Sequence, residues 1–347
     1  MQASRDSDPD GVLIIGLPRS GTTWISELLA LAEGVELVVE PDNERTSLLA
    51  VAAKRDLPRF PALQPGQRHA AFERLWLVAF RHRLGPLLSR SILTRAWFRP
   101  RRPCTARAVA RKEQRVVAGP GQAGRGLMHR WLAGRTPPPH APRGQRVVKT
   151  VHAPLCAEWV ASVAQPRRVV IVQRHPLAVL ASLRRMAMPD IVREGCFIPA
   201  LWRGVFGDDG PSLIDRSSPI AEAGSQAALL TAALEQATQR HDDWLALRHE
   251  SLCEDPVAGF RQLYEQLGLA WTPRVAEAIQ QRDRPGTGYR TQRLAREQVD
   301  KWRGEFNARE LDILRRLLQR CGLGHWLAEH STTPAATPDA ACMDAST

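Results

Sequence analysis

The sequence predicts an α/β fold, a doubly wound parallel sheet with helices on both faces in a single domain, from three observations. Val12-Leu13-Ile14-Ile15 is a continuous apolar run, as a strand buried on both faces requires. It leads directly into GLPRSGTTW, Gly16 to Trp24, a glycine-bounded turn that opens a helical pattern. Later apolar runs alternate with helical stretches, and no internal repeat interrupts them.

Taken in order, residues 1–10 are polar and expected to be flexible. After the first strand, Trp24/Leu28 and Ile25/Leu29 repeat at i, i+4 and predict a helix from Thr22 to Ala32. Glu36–Val39 reads as a second strand that stops at Glu40-Pro41, where proline limits further pairing. Residues 45–145 form an insertion. Its first part looks helical around Phe72–Phe80 and Leu84–Leu93, and residues 100–145, rich in Arg, Pro and Gly, read as loop, lid or disorder.

Val147-Val148 starts a third strand and Val169–Val172 a fourth. Pro176 then opens a helix with Leu177, Leu180 and Leu183 on one face. Trp244–Arg248 reads as a further strand. Helices are expected over about Pro256–Leu267, Arg293–Arg303 and Ala308–Leu318. The domain thus spans residues 11–330, and 331–347 form a low-complexity tail expected to be disordered.

Composition narrows the function classes. The net charge of +12 suits an anionic partner, but only four of the 48 basic residues are lysine. That arginine skew comes without any nucleic-acid-binding motif, so no nucleic-acid role is expected. The six cysteines are scattered, with no CxxC pair and no zinc spacing, which suits a reduced cytoplasmic chain and no metal site. No apolar run approaches a membrane span, so no membrane partner is expected.

The turn after the first strand can cradle a tetrahedral anion. Backbone N–H groups of Arg19, Ser20, Gly21, Thr22 and Thr23 face the same point as the helix N-terminus, and the threonine hydroxyls add donors. A nucleotide triphosphatase would place a lysine where Thr22 stands, so the loop suits a single 5′-phosphate better than a triphosphate. A second segment, RRVVIVQRHPLAVLASLRR, sets Arg174 at a strand end and Ser182 eight residues later in the next helix. An arginine and a hydroxyl so spaced can converge on one phosphate.

Together the two segments resemble the sulfotransferase family that uses 3′-phosphoadenosine 5′-phosphosulfate (PAPS). PRSGTTW is similar to its 5′-phosphosulfate loop, and Arg174 with Ser182 to its 3′-phosphate pair. The resemblance implies that Trp24 stacks on adenine. It extends more weakly through VVKTVHAP and LRHESLCEDPVAGFRQLYEQLGL to KWRGEF, residues 11–306 in all, but not through 45–145.

Two residues stand as candidates for the base that takes the acceptor's proton. Glu40 ends the second strand and is placed like the glutamate of tyrosylprotein and heparan sulfotransferases. His152, in Lys149-Thr150-Val151-His152, resembles the Lys-Thr-His of cytosolic sulfotransferases with one residue inserted. Because strand side chains alternate faces, that insertion turns His152 to the other side and favours Glu40. Glu36, Asp42 and Glu44 read as solvated or structural.

Lys149 resembles the family lysine that stabilises the leaving oxygen, with Arg19 sharing the role. The Arg-Lys-Gly loop of cytosolic relatives is absent, and Arg290 and Arg293 stand as substitutes. His249-Glu250 is similar to the family's Tyr-Glu and reads as structural. The resemblance implies transfer of a sulfonate from PAPS, without a metal, to a hydroxyl or amine on a small molecule or glycan. Two alternatives are a P-loop kinase or NTPase, and a non-catalytic nucleotide-binding protein of the same fold.

Overall fold

The computed structural model describes residues 11–81, 145–186, 199–286 and 293–328. Five parallel strands form one sheet in the order β2-β3-β1-β4-β5: β1 Gly11–Gly16, β2 Val35–Val39, β3 Gln145–Thr150, β4 Arg168–Gln173 and β5 Leu245–Arg248. β1 lies in the middle, paired with β3 on one side and β4 on the other. Val12, Leu13, Ile14 and Ile15 have no solvent exposure. Burying a side chain of this size is worth about 1.5–3 kcal/mol, which is why an uninterrupted apolar run marks the central strand.

Alternation along the strands divides the core in two. Leu13, Ile15, Val38, Val148, Val169 and Ile171 face one layer, with helices Ala70–Arg81, Ala157–Ala164 and the long Pro219–Gln239. Val12, Ile14, Val147, Val170 and Val172 face the other, with helices Thr22–Leu29, Pro256–Gln266 and Pro273–Arg282. A third cluster packs Pro176–Arg185 and Pro219–Gln239 against Ala308–Arg320. This is the helix-on-both-faces arrangement expected from the sequence.

Several elements differ from expectation. The Arg293–Arg303 helix is reduced to Glu297–Asp300 followed by a 3-10 turn at Arg303–Glu305. There Trp302 stacks on His175, with ring centroids 4.5 Å apart, and this docking overrides local helical propensity. The 21-residue helix Pro219–Gln239 was not anticipated. It is buried on several faces by small residues and so lacks an amphipathic stripe, although Ser218 caps it and Pro219 opens it. The expected features over 1–10, 82–144 and 331–347 lie outside the described residues. No described helix is long and apolar enough to cross a membrane.

Candidate active site

The carboxyl ends of the strands meet around a cavity of about 730 Å³, within the usual range for a small-ligand site. Residues following all five strands line it, among them Thr22, Glu40, His152, Arg174 and His249. Open parallel sheets bind ligands at this edge, beside the strand where the chain's winding reverses.

The loop after β1 is tight. Ser20 N–H donates to the Leu17 carbonyl at 3.1 Å, and both Arg19 (φ 72°) and Gly21 (φ 93°) adopt the left-handed region. A Cβ on Gly21 would lie 2.3 Å from Cδ2 of the His249 ring, so the loop rests directly on that side chain. The helix Thr22–Leu29 starts immediately after, directing its free N–H groups toward the cavity. Arg19, Gly21, Thr22, Thr23 and Trp24 all line it. Ser20 does not: it is buried behind the loop, its Oγ without a hydrogen-bond partner among the described residues. Its backbone N–H closes the turn on Leu17, so it is not one of the anion donors expected from the sequence.

Arg174 and Ser182 come together with that loop. Arg174 donates from one guanidinium nitrogen to the Arg19 carbonyl at 2.8 Å and from the other to the Gln298 carbonyl at 3.5 Å. Its Nε is buried with no hydrogen-bond partner among the described residues. Arg19 Nε donates to Ser182 Oγ at 3.1 Å. The Arg19 guanidinium therefore stands with Ser182, on the side expected to take a 3′-phosphate. Burial draws the Arg174 pKa down, and the nearby Arg19 and Arg185 add to this, whereas Glu250 opposes it. Arg293 also lines the cavity, its pKa lowered by burial and by Arg185. Arg290 lies outside the described residues. Trp24 packs edge-on against His249 and Phe260, at centroid distances of 5.9 and 4.9 Å.

Glu40 follows the edge strand β2 and lines the same cavity. Its backbone, at φ 49°, is also left-handed, an uncommon conformation for glutamate, and its N–H donates to the Lys149 carbonyl at 2.6 Å. Lys149 Nζ in turn donates to Glu40 Oε1, and Asn43 Nδ2 donates to Oε2 at 2.6 Å. Burial alone would raise the Glu40 pKa. The Lys149 ammonium, its hydrogen bond and that of Asn43 overcome this and hold the carboxyl at about 2.

His152 also lines the cavity. β3 ends at Thr150, so strand alternation does not carry to His152, and the bend at 151–152 brings the ring back. The inserted residue therefore does not turn it away, contrary to expectation. A guanidinium can only donate, so Arg59, 3.2 Å from Nε2, occupies the lone pair there. Nδ1 then carries the proton and faces Asp42 at 3.8 Å. Burial lowers the His152 pKa, with Asp42 opposing and Arg59 assisting, which keeps the ring neutral at pH 7. The charge that depresses Glu40 is therefore chiefly that of Lys149.

Asp42 is fully buried and accepts from Thr150 Oγ1 at 2.7 and 2.9 Å; it is structural, not solvated. The groups that sequence reasoning missed are Asn43 and Arg59, which have no local motif, and the contact of His249 with Gly21. Glu250 has the expected structural role: its Oε1 accepts from the His175 N–H at 3.0 Å. Among the described residues, no three His, Cys, Asp or Glu side chains gather as a metal site would require.

The model of the sulfotransferase family matches residues 9–273. The chain belongs to the sulfotransferase family. No curated protein matches it. Among solved structures, this sulfotransferase-family chain is similar to the sulfotransferase domain of the Synechococcus PCC 7002 olefin synthase. That pair shares 16% identity over 92% of this chain and 98% of that one, with a TM-score of 0.43. It is also similar to the sulfotransferase domain of the curacin biosynthetic pathway (15% identity, 90% of this chain and 98% of that one, TM-score 0.45). A third is sulfotransferase STF9 from Mycobacterium avium (13% identity, 91% and 76%, TM-score 0.39). The family assignment rests on the sequence match alone.

Proposed function

We propose that this sulfotransferase-family chain transfers a sulfonate from PAPS to a hydroxyl of a small-molecule or glycan acceptor, releasing adenosine 3′,5′-bisphosphate. The observation that carries this reading is the meeting of Lys149 and Glu40 at the rim of the same cavity that holds the anion loop. A base and a cation are the two groups that sulfonate transfer asks of a protein.

The residues fit the donor. The helix start at Thr22 offers backbone N–H groups to a 5′-phosphate, and the buried Nε of Arg174, unpartnered among the described residues, suits a second anion on the side of Arg19 and Ser182. Trp24, at the mouth of the loop, offers a ring to adenine. The donor supplies the activated sulfonate; every other task falls to the chain. Glu40 takes the proton of the acceptor hydroxyl as the new oxygen–sulfur bond forms. Lys149 stabilises the phosphate oxygen that keeps the electron pair of the broken bond. Arg19 works on the nucleotide side through Ser182. His152, with its lone pair committed to Arg59, orients the acceptor wall and is not the base.

The test is to incubate purified protein with PAPS and a panel of phenolic, alkyl and sugar hydroxyls, with mass spectrometry of both products. Stoichiometric sulfated acceptor and bisphosphate are expected. Phosphoryl transfer from ATP, with no reaction of PAPS, would overturn the reading.

A further inference from the structure

Lys149 and Glu40, the two groups read above as leaving-group cation and base, are bonded to each other. Lys149 is almost fully buried, and its Nζ donates to Glu40 Oε1. Asn43 occupies the second oxygen. A carboxylate with both oxygens committed to donors has little remaining affinity for a proton. Glu40 would thus be a poor base at neutral pH, since its carboxyl is held at about 2.

Resting on the proposed function, we propose that the Lys149–Glu40 ion pair is a latch. Glu40 cannot take the acceptor's proton while Lys149 holds it, and the donor's phosphate opens the latch by competing for the same ammonium. Asn43 is the positioning residue that keeps the freed carboxylate aimed.

An ammonium has three N–H donors on a flexible stem, so Lys149 can turn toward an anion in the loop without leaving the cavity. Lys149 pairs with Ile14 on β1, two residues before the loop, and lines the same cavity as Thr22, so Lys149 stands between Glu40's strand and the strand that carries the loop. Among the described residues, the groups that face Glu40 are Lys149 on β3, Asn43 on its own loop, and His152 after β3, with Asp42 and Arg59 behind the ring. Burial lowers the His152 pKa, so at neutral pH Lys149 is the cation whose departure changes Glu40. The proton of the acceptor would then have nowhere to go until the donor is in place. Acceptor bound alone would stay protonated, and the donor would be required first.

The probe is adenosine 3′,5′-bisphosphate, titrated calorimetrically into the full chain at pH 4.5 in two buffers of different ionisation enthalpy. The difference gives the protons taken up per nucleotide bound. A Glu40 carboxyl that rises from about 2 to its ordinary 4.5, or above it because burial favours the protonated form, takes up at least about half a proton at that pH. The phosphates of the nucleotide meet the same cations in wild type and Glu40→Gln, so the excess of wild type over Glu40→Gln reads Glu40.

That excess should be at least about half a proton. In Lys149→Met there is no latch to open, so its excess over the double variant Lys149→Met/Glu40→Gln should be well under half a proton. Equal uptake by wild type and Glu40→Gln would overturn the latch, as would an excess in the Lys149→Met pair as large as in the wild-type pair. Should Glu40→Gln fail to fold by circular dichroism, Glu40→Ala takes its place in both comparisons. No nucleotide binding at all would instead overturn the proposed function, and the latch with it.

Discussion

Gly21 provides the strictest test of how the anion loop is built. Replacing it by alanine meets two separable penalties. At φ 93° an L-residue stands in the left-handed region, which costs about 1–2 kcal/mol. The new methyl would also approach His249 Cδ2 to 2.3 Å. That ring is buried, with Trp24 against one edge and Cys253 Sγ 3.6 Å from Nδ1, so it has little room to withdraw. Overpacking of this kind costs about 1–3 kcal/mol. Gly21→Ala should therefore lose about 2–5 kcal/mol in urea unfolding. A His249→Ala background removes the second penalty but not the first, so a double-mutant cycle should return a favourable coupling of about 1–3 kcal/mol. Gly21→Ala within about 0.5 kcal/mol of wild type, or a cycle with no coupling, would refute the view that the loop is seated on His249.

Other perturbations address the chemistry. Arg174→Ala should remove most of the preference for adenosine 3′,5′-bisphosphate over AMP, about 10- to 100-fold in Kd, because one charge-assisted contact is worth about 1.5–3 kcal/mol; calorimetry with both nucleotides checks it. Glu40→Gln should lower kcat by about 10²–10⁴ at saturating PAPS and tighten bisphosphate binding, because no carboxylate then competes for Lys149, whereas His152→Ala should cost less. The reverse ranking, measured with one accepted acceptor, would make His152 the base. The Glu40 carboxyl is depressed from 4.5 to about 2, so its contribution to stability is complete above pH 4.5 and is lost as the pH falls toward 2. Acid unfolding followed by circular dichroism should therefore show a shallower decline over that window in Glu40→Gln than in wild type.

The sheet was legible in the sequence because its central strands are buried on both faces, which leaves runs such as Val12–Ile15 and Val169–Val172 without polar interruption. The anion loop was legible for a related reason: its chemistry lies in backbone N–H groups, so the glycines and the helix start encode it locally. Arg174 and Ser182 were readable as one strand end and one helix turn. What escaped depends on long-range approach. His249 meets Gly21 only after β5 has joined the sheet, and Arg59 meets His152 across 93 residues of chain. The side on which His152 falls was misjudged because the strand ends at Thr150, a boundary that a period of two cannot locate. The helix Pro219–Gln239 was missed because burial on many faces erases the periodicity that reveals surface helices.

His175 ties the middle of the chain to its last-made part. Its Nδ1 accepts from the Leu177 N–H to cap the helix that carries Ser182, its ring stacks on Trp302, and its Nε2 meets the Trp326 carbonyl at 3.0 Å. Arg174 next to it reaches the carbonyl of Gln298. On a ribosome, all five strands have been made once Arg248 has emerged, yet the nucleotide wall still lacks these partners. The nascent chain would thus complete its sheet well before it can grip a nucleotide. A chain ending near residue 290 would carry every strand yet lack Trp302, Leu314, Leu317 and Trp326, which cover the helices behind the nucleotide wall.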